Sequence, residues 1–446
     1  MQQEQDSYPK VLILGETFRY NGGGGITLIN LFKNWKPDHL AVVTERINET
    51  SFDAGCKKFY RLGHLEVKMP FPFNLINKIQ ASGEVNILSQ NPSSVQVQHK
   101  RTTLQTFKFS VEKTYYAVIS LLGFIISNYK IRVSDQLLRW IDNYSPQIIY
   151  AQPFSYKDMI FACDLKKATG LPLALHIMDD SVSFLNKPNL LFFYWKRKVN
   201  TIFKQLIDKA DIHLSISDAM SDEYFKRYKK QFLPFRNPID IKTWLPVIKS
   251  DWKLAGQINV VYTGRLAVPN INALLTICNV VEKINSIVPI RIHIYSIDKN
   301  NRFYAKIRHL ESVVIHNAVP FSKIPSLITQ FDLTVLPIDF TKSGIKYAKY
   351  SVSTKTSEYM ISGVPILLFA PEEVALTAYA KKNKCMYSVS ENNEDGLFDG
   401  FMELINNYNL RVTIAQKAIE VAKSDSVATE VRKRFVDVLQ SCASRN

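Results

Sequence analysis

The sequence predicts an α/β fold made of two Rossmann-like domains whose parallel sheets face each other across a cleft. Its 446 residues are too many for one ordinary hydrophobic core and suit two domains of roughly 200 residues each. Apolar runs of strand length alternate with stretches of helical periodicity, first in one half of the chain and then in the other. Because open parallel sheets bind ligands at the carboxyl ends of their strands, the principal site is expected in the cleft.

The predicted strands are continuous apolar runs, which are typical of a parallel sheet covered on both faces. Those of the first half are VLILG (residues 11–15), LAVVT (40–44), QIIYAQ (147–152), LALHIM (173–178) and DIHLSIS (211–217). Those of the second half are INVVYTG (258–264), RIHIYS (291–296), VVIHNAV (313–319), LTVLPI (333–338) and PILLFA (365–370). A glycine-rich turn at residues 21–25 leads from the first strand into the helical pattern ITLINLFKNW.

Prolines and a loss of periodicity indicate a linker, and a candidate hinge, at residues 237–253. We therefore predict an N-terminal domain over residues 1–245 and a C-terminal domain over residues 254–424. A final helix over residues 425–446 is expected to pack back toward the N-terminal domain.

The balance of charge is strongly basic, at +16. Such an excess favours anionic partners: nucleotide diphosphates, anionic lipid head groups or nucleic acid. Nucleic acid is the least favoured of these, because the sequence contains no helix-turn-helix, zinc-finger or aromatic RNA-binding pattern.

The five cysteines stand singly in the sequence, without the close pairs that a zinc site or a redox motif needs. The first residues, MQQEQDSYPK, lack the basic and apolar regions of a secretory signal. A reducing, cytoplasmic compartment is expected.

Residues 114–129 carry no charge and are flanked by Lys113, Lys130 and Arg132. As a helix this segment would be about 24 Å long, which is short of the hydrocarbon thickness of a bilayer. It is predicted to be either a buried helix or an element embedded in one monolayer. The second alternative is supported by residues 189–200, where aromatic residues adjoin three consecutive basic ones. It implies peripheral association with an anionic membrane surface.

Two positions in the second half suit a phosphate ligand. Gly264 and Arg265 directly follow an apolar strand, where a guanidinium can pair with phosphate, although strand-end arginines without a ligand are common. Lys355 and Glu358 lie three positions apart near the start of a predicted helix, and so share one helical face. A helix N-terminus attracts diphosphate, and a carboxylate can accept hydrogen bonds from a ribose diol. The alternative is an ordinary surface Lys–Glu pair.

Residues 353–367, STKTSEYMISGVPIL, resemble the donor-binding signature of retaining GT-B glycosyltransferases, especially those of glycosyltransferase family 4 from bacterial polysaccharide assembly. In that family the Lys, the Glu, the aromatic residue after it and the Gly-x-Pro turn recur in this order. The resemblance extends to the glycines 22–25, HIMDD (176–180), SISDAMSDEYFKRY (215–228), RNPID (236–240) and YTGRL (262–266). It implies a GT-B fold with an acceptor-side N-terminal domain and a nucleotide-sugar-binding C-terminal domain.

The resemblance also implies roles for individual residues. Glu358 would hold the ribose hydroxyls, and Arg265 and Lys355 would neutralise the departing diphosphate. The implied donor-binding set is Gly23, Gly24, Gly25, Gly264, Arg265, Tyr350, Ser351, Lys355 and Glu358. The implied catalytic set is His176, Asp179, Arg265 and Lys355.

The implied roles in the N-terminal domain have ordinary alternatives. The glycines would let backbone amides approach the donor phosphate or sugar, whereas the alternative is a flexible linker. His176 would lie near the reacting sugar, but a histidine in an apolar strand is commonly a core residue. Asp180, beside Asp179, could equally cap a following helix.

The chain departs from the family pattern at two positions. Family members often carry a glutamate eight positions before the ribose-binding one, and here that position is Tyr350. The usual lysine shortly after the glycine–arginine pair is absent, and only Asn270 and Asn272 stand in that stretch. The resemblance therefore does not predict the contacts to the donor sugar.

The function expected from these observations is transfer of a hexose from a UDP- or GDP-sugar to a glycan or lipid-linked glycan, with retention of anomeric configuration, in cell-surface polysaccharide synthesis. No cofactor and no metal are expected. One alternative is a sugar-nucleotide epimerase or hydrolase on the same fold. Another is a non-catalytic subunit that binds a nucleotide sugar. A dehydrogenase would leave the signature at residues 353–367 unexplained.

Overall fold

The computed structural model describes residues 7–20, 22–50, 55–69, 79–85, 118, 120–123, 129–180, 190–298, 301–425 and 427–444. Most of residues 114–129 lies outside this described part. None of the described helices combines the length and the hydrophobicity needed to cross a bilayer.

The first half forms an eight-stranded sheet, and a small antiparallel pair lies beside it. Its strands are β1 (Val11–Leu14), β2 (Leu40–Thr44), β3 (Lys58–Arg61), β5 (Gly83–Glu84), β7 (Ile148–Ala151), β8 (Leu173–Ile177), β9 (Ile212–Ser215) and β10 (Leu233–Pro234); the pair consists of β4 (Val67–Lys68) and β6 (Lys130–Ile131). The order is β10-β9-β8-β7-β1-β2-β3-β5, parallel except for β5. Apolar clusters cover both faces of this sheet.

The second half forms a six-stranded, wholly parallel sheet. Its strands are β11 (Ile258–Thr263), β12 (Ile290–Ser296), β13 (Val313–Asn317), β14 (Leu333–Pro337), β15 (Ile366–Phe369) and β16 (Tyr387–Val389), in the order β13-β12-β11-β14-β15-β16. It too has an apolar cluster on each face. The predicted α/β architecture with two parallel sheets is confirmed, and every predicted strand is present.

The helices lie mostly between strands, as parallel connections require. They are α1 (Gly23–Phe32), α2 (Asp135–Tyr144), α3 (Tyr156–Thr169), α4 (Phe192–Lys209), α5 (Asp218–Tyr228), α6 (Ile241–Trp244), α7 (Ile271–Asn285), α8 (Asn301–Ile307), α9 (Ile324–Ile328), α10 (Lys342–Ala348), α11 (Thr354–Ser362), α12 (Ala375–Asn383), α13 (Glu394–Asn406), α14 (Tyr408–Asp425) and α15 (Ala428–Ala443). Helix α1 begins at Gly23, so the predicted glycine turn is largely the first turn of a helix.

The last helix, α15, packs on the first sheet. The ring of Phe435 lies edge-on to Phe32 and Tyr150, with ring centroids 5.1 and 5.8 Å away. Nε of Arg432 donates to the carbonyl of Asn30 over 2.6 Å. The chain therefore forms the first domain, then the second, and its last helix returns to the first.

Candidate functional site

Two helix N-termini, one from each domain, face each other in the cleft. A Cβ added to Gly23, the first residue of α1, would lie 3.5 Å from Cγ2 of Thr354, the first residue of α11. Neither helix has a side-chain N-cap hydrogen bond. No side chain thus competes with a ligand for the backbone N–H groups at these helix starts, of which that of Thr356 donates to the carbonyl of Ser353. Both helix dipoles favour negative charge nearby.

Lys355 extends from the first turn of α11 to the end of β11. Its Nζ lies 3.0 Å from the hydroxyl of Tyr262 and 4.3 Å from the centre of that ring. A Cβ at Gly264 would stand 2.5 Å from this Nζ, and the φ of Gly264 is +140°. Position 264 therefore favours a glycine for its backbone conformation, and a side chain there would displace the ammonium of Lys355. Burial lowers the pKa of Lys355 to about 8, while the charge of Glu358 opposes the shift.

Glu358 lies one turn further along α11. Burial raises the pKa of its carboxyl to about 7, and the charge of Lys355 opposes this. Within the described part of the chain its carboxylate has no hydrogen-bond or ion-pair partner, and Lys355 donates to Tyr262. The helix is held in place by Tyr359, whose hydroxyl accepts from the backbone N–H of Thr263 over 2.8 Å. A carboxylate so placed can accept hydrogen bonds from a ligand diol.

The first turn of α1 packs closely at two of its glycines, Gly24 and Gly25. A Cβ at Gly25 would lie 2.4 Å from the backbone oxygen of Arg19, and one at Gly24 would lie 2.7 Å from Oε2 of Glu16. Glu16 is fully buried and ion-paired with Arg19 over 2.9 Å. The glycines thus belong to a packed helix start rather than to a flexible linker.

Arg265 is engaged by a carboxylate. Its Nε donates to Oδ2 of Asp298 over 2.8 Å, and the side chain is 56% exposed. The same carboxylate oxygen accepts from the backbone N–H of Leu266. A phosphate contact from Arg265 would have to be shared with Asp298.

His176 is a buried residue near the carboxyl end of β8. It is 1% exposed, and its Nδ1 lies 2.6 Å from the hydroxyl of Tyr150, to which Gln152 also donates. Burial lowers the pKa of His176 to about 4, so the ring is neutral at physiological pH. This placement agrees with the core-histidine interpretation.

Asp179 and Ser351 meet between the domains. Oγ of Ser351 donates to Oδ1 of Asp179 over 3.2 Å. Burial raises the pKa of Asp179 to about 6, against the opposing hydrogen bonds from Ser351 and Tyr347. The neighbouring Asp180 accepts from the hydroxyl of Tyr224 and pairs with Arg227.

Tyr350 docks on the first domain. Its carbonyl accepts from Oγ of Ser217 over 2.5 Å. Its ring centre lies 5.2 Å from the guanidinium carbon of Arg227 and 5.3 Å from Nζ of Lys349. The residue that replaces the expected glutamate therefore serves a contact between domains.

The two asparagines after Arg265 hold the start of α7. Asn270 accepts from the backbone N–H of Ala267, and Asn272 donates to Asp339. Neither takes the place of the missing lysine.

A polar pocket that sequence reasoning missed lies at the carboxyl ends of β1 and β2, and Glu45, Arg46 and Lys157 are among its lining residues. Glu45 accepts from Lys157 over 2.6 Å and from Tyr129 over 3.2 Å. Burial raises the pKa of Glu45, and Lys157 opposes the shift. The sequence feature that could have indicated this pocket is the charged pair Glu45 and Arg46, directly after the run LAVVT. Tyr262 and Thr354 were also missed, although both lie inside the quoted motifs.

No family model matches the chain, and the search of curated proteins finds no match. Solved structures do resemble it over nearly their whole lengths. Anabaena HepE, in complex with UDP and glucose, is 13% identical, with 97% of this chain and 100% of that chain covered and a TM-score of 0.61. Sucrose-phosphate synthase from Thermosynechococcus elongatus is 10% identical (98% and 100% covered, TM-score 0.62), and a glycosyltransferase from Rickettsia africae ESF-5 is 10% identical (98% and 98%, TM-score 0.59). At such identities the likeness concerns the fold, and it confirms the predicted GT-B fold.

Proposed function

We propose that the chain is a glycosyltransferase that moves a hexose from a UDP- or GDP-sugar to a glycan or lipid-linked glycan, with retention of configuration. The convergence of the starts of α1 and α11 on one point, with the ammonium of Lys355 beside it, carries this proposal. Two helix N-termini and a lysine form a site for a diphosphate, the leaving group of a nucleotide sugar. Two of the proteins with similar folds are named as a glycosyltransferase and as a sucrose-phosphate synthase, and these names agree with the proposal.

In the proposed complex the diphosphate lies beside the first turns of α1 and α11, and Lys355 donates to it. Arg265 supplies further positive charge at the rim, and Glu358 accepts hydrogen bonds from the ribose. The leaving phosphate takes the proton of the acceptor hydroxyl as the sugar is transferred, so the protein acts by positioning and by stabilising charge. No metal ion is required in this scheme, and activity that survives EDTA treatment is the expected result.

In this proposal the acceptor binds at Asp179 and in the pocket around Glu45. Both lie at the carboxyl ends of strands in the first sheet, and the pocket offers the hydrogen-bonding groups Glu45, Arg46 and Lys157. Such groups suit the hydroxyls of a glycan. His176 has no part in the proposed contacts, because its ring is buried in the core.

The nucleotide is tested by thermal shift with UDP, GDP, ADP and their sugars, since a ligand that binds the native state raises its melting temperature. The complex of HepE with UDP and glucose favours UDP as the first candidate. Stabilisation by UDP or GDP but not by ADP is expected. A chain that responds to none of them at millimolar concentration would overturn the proposal.

Product analysis tests the reaction. Radiolabelled hexose should appear on an oligosaccharide or lipid-linked acceptor, and NMR of the product should show the anomeric configuration of the donor. An isomerised nucleotide sugar or free hexose would instead assign an epimerase or hydrolase. The proposal includes a cytoplasmic location, which cell fractionation tests. It also includes a role in cell-surface polysaccharide synthesis, which is tested by analysing the polysaccharide of a deletion strain.

A second candidate is a non-catalytic subunit that binds a nucleotide sugar. It is favoured by the docking of Tyr350 on the first domain and by the pairing of Arg265 with Asp298. Such a subunit would be stabilised by UDP or GDP but would show no turnover with any acceptor.

A further inference from the structure

The outer surface of the first domain carries an exposed apolar patch at the start of α4, which we call the α4 patch. Phe193 is 83% exposed and Leu190 is 72% exposed. The other large apolar side chains of the patch are also exposed: Val118, Leu121, Leu191 and Tyr194. The backbone N–H of Leu190 donates to the carbonyl of Leu121 over 2.8 Å, so the two chain segments adjoin.

The α4 patch is presented by a firmly packed helix. The opposite side of α4 buries Trp195, Val199 and Phe203 in the domain core. The indole N–H of Trp195 also donates to the carbonyl of Leu122 over 3.0 Å. The exposed rings are therefore held at the surface by the amphipathic pattern of the helix, and their exposure does not result from a frayed end.

Basic side chains follow directly along the same helix. Over α4 the sequence has five basic residues and a single acidic one, Asp208. A shallow groove on the outer side is lined by Phe193, Lys196, Arg197, Asn200, Thr201 and Lys204. An apolar end next to a basic groove is complementary to a lipid surface. The apolar end can contact acyl chains, and the basic groove can contact anionic head groups.

The basic residues that follow the α4 patch lie near the second domain. Burial, and next the positive charge of Lys196, lower the pKa of Lys346 in α10 of the second domain, while Asp180 opposes this. Lys346 therefore lies close to Lys196 and to Asp180, which adjoins the contact between Asp179 and Ser351. A surface held by the patch would therefore lie near the second domain.

We propose that the α4 patch docks the protein on a membrane that contains anionic lipid, with Phe193 and Leu190 inserted and Lys196, Arg197 and Lys204 on the head groups. The docking itself is independent of the reaction. Its consequence, that a lipid-linked acceptor is presented at the cleft, rests on the proposed function.

Vesicle flotation without any nucleotide tests the docking. The full chain is mixed with vesicles of phosphatidylcholine alone or with phosphatidylglycerol added, at low and high salt. Wild-type protein should float with the anionic vesicles at low salt, less so at high salt because the charges are screened, and hardly with neutral ones. Substitution of Lys196, Arg197 and Lys204 by Gln should lower the partition coefficient on the order of 100-fold.

The apolar part is tested by Phe193→Glu, with Ile287→Glu as the matched control. Ile287 is 62% exposed and lies in the second domain. Phe193→Glu should abolish flotation, whereas Ile287→Glu should float like the wild type, and both should keep the wild-type melting temperature and response to UDP.

Three outcomes would overturn the docking proposal: wild-type protein that stays at the bottom at low salt, Phe193→Glu that floats normally, or a concentration-dependent dimer that Phe193→Glu abolishes in the absence of flotation. The last would assign the α4 patch to a second copy of the chain. UDP binding is measured separately from flotation. Failure of the proposed function can therefore be distinguished from failure of the membrane docking.

Discussion

Ser351 donates a hydrogen bond to Asp179 over 3.2 Å, and this bond joins the end of β8 in the first domain to the segment before α11 in the second. The carboxylate is partly buried, and burial raises its pKa to about 6. Between about pH 4, the ordinary value for an aspartate, and pH 6 the folded state holds more protons than the unfolded state. This carboxylate therefore contributes a loss of stability as pH rises through that window.

Asp179→Asn should accordingly raise the melting temperature at pH 7 relative to the wild type, and the difference should vanish at pH 4. The amide oxygen can still accept from Ser351, but no charge has to be buried. Differential scanning calorimetry at both pH values measures this. The matched control is Asp180→Asn, which should lower the melting temperature at pH 7 because Asp180 is paired with Arg227. An Asp179→Asn variant less stable than the wild type at pH 7 would contradict the argument.

Lys355→Met should weaken UDP binding about 10- to 100-fold, because a charge-assisted hydrogen bond to the diphosphate is lost. The diphosphate should also raise the pKa of Lys355 from its free value of about 8, so binding at pH 8 should take up protons. Isothermal titration in buffers of different ionisation enthalpy measures both effects. Lys349→Met, which alters a nearby lysine over the Tyr350 ring, is the control. Proton uptake that persists in Lys355→Met would assign it to another group.

Glu358→Ala should lower the affinity for UDP while leaving the affinity for 2′,3′-dideoxy-UDP nearly unchanged, because only the ribose diol uses the carboxylate. The wild type should prefer UDP by roughly 10-fold or more, as hydrogen bonds to a charged group are worth about 1.5–3 kcal/mol. Calorimetry with both ligands and both proteins forms a complete cycle. Glu372→Ala, at an exposed carboxylate paired with Lys381, serves as control. Equal losses for both ligands would refute a ribose contact.

Gly25→Ala and Gly23→Ala should separate folding from binding. At Gly25 a Cβ would collide with the Arg19 backbone at 2.4 Å, and the free energy of unfolding should fall by about 1–3 kcal/mol. At Gly23 the nearest atom is 3.5 Å away in Thr354, so stability should hold while UDP affinity decreases. Urea unfolding and UDP titration of both variants measure the two effects. Unchanged UDP affinity in Gly23→Ala would place the diphosphate elsewhere.

Phe435→Ala should reduce the free energy of unfolding by about 3–5 kcal/mol, the usual cost of removing a buried aromatic side chain. Phe435 is fully buried and contacts Phe32 and Tyr150, so α15 contributes to the core of the first domain. Urea unfolding measures the loss, and Asp437→Ala on the exposed side of the helix is the control. A loss below about 1 kcal/mol would show that α15 docks only weakly.

The major strands could be predicted because each is a buried run whose composition suffices to identify it. Ile258–Thr263 is an example, since five of its six residues are buried. The missed strands are short and lie at edges or carry charge, as Lys58–Arg61 and Gly83–Glu84 do. Such strands form because a neighbour offers hydrogen bonds, and composition does not record a neighbour.

The sequence by itself determined the two α/β units and the pair Lys355 and Glu358, because three positions along a helix bring two side chains to one face. Only the tertiary structure decided which groups face the cleft. His176 and Asp179 are three positions apart in one motif, yet one side chain lies in the core and the other meets Ser351. Sheet register and the packing of α1 and α15 settle this difference. The approach of Thr354 to Gly23 is likewise a result of the tertiary structure. These relationships join residues hundreds of positions apart, and no local pattern specifies them.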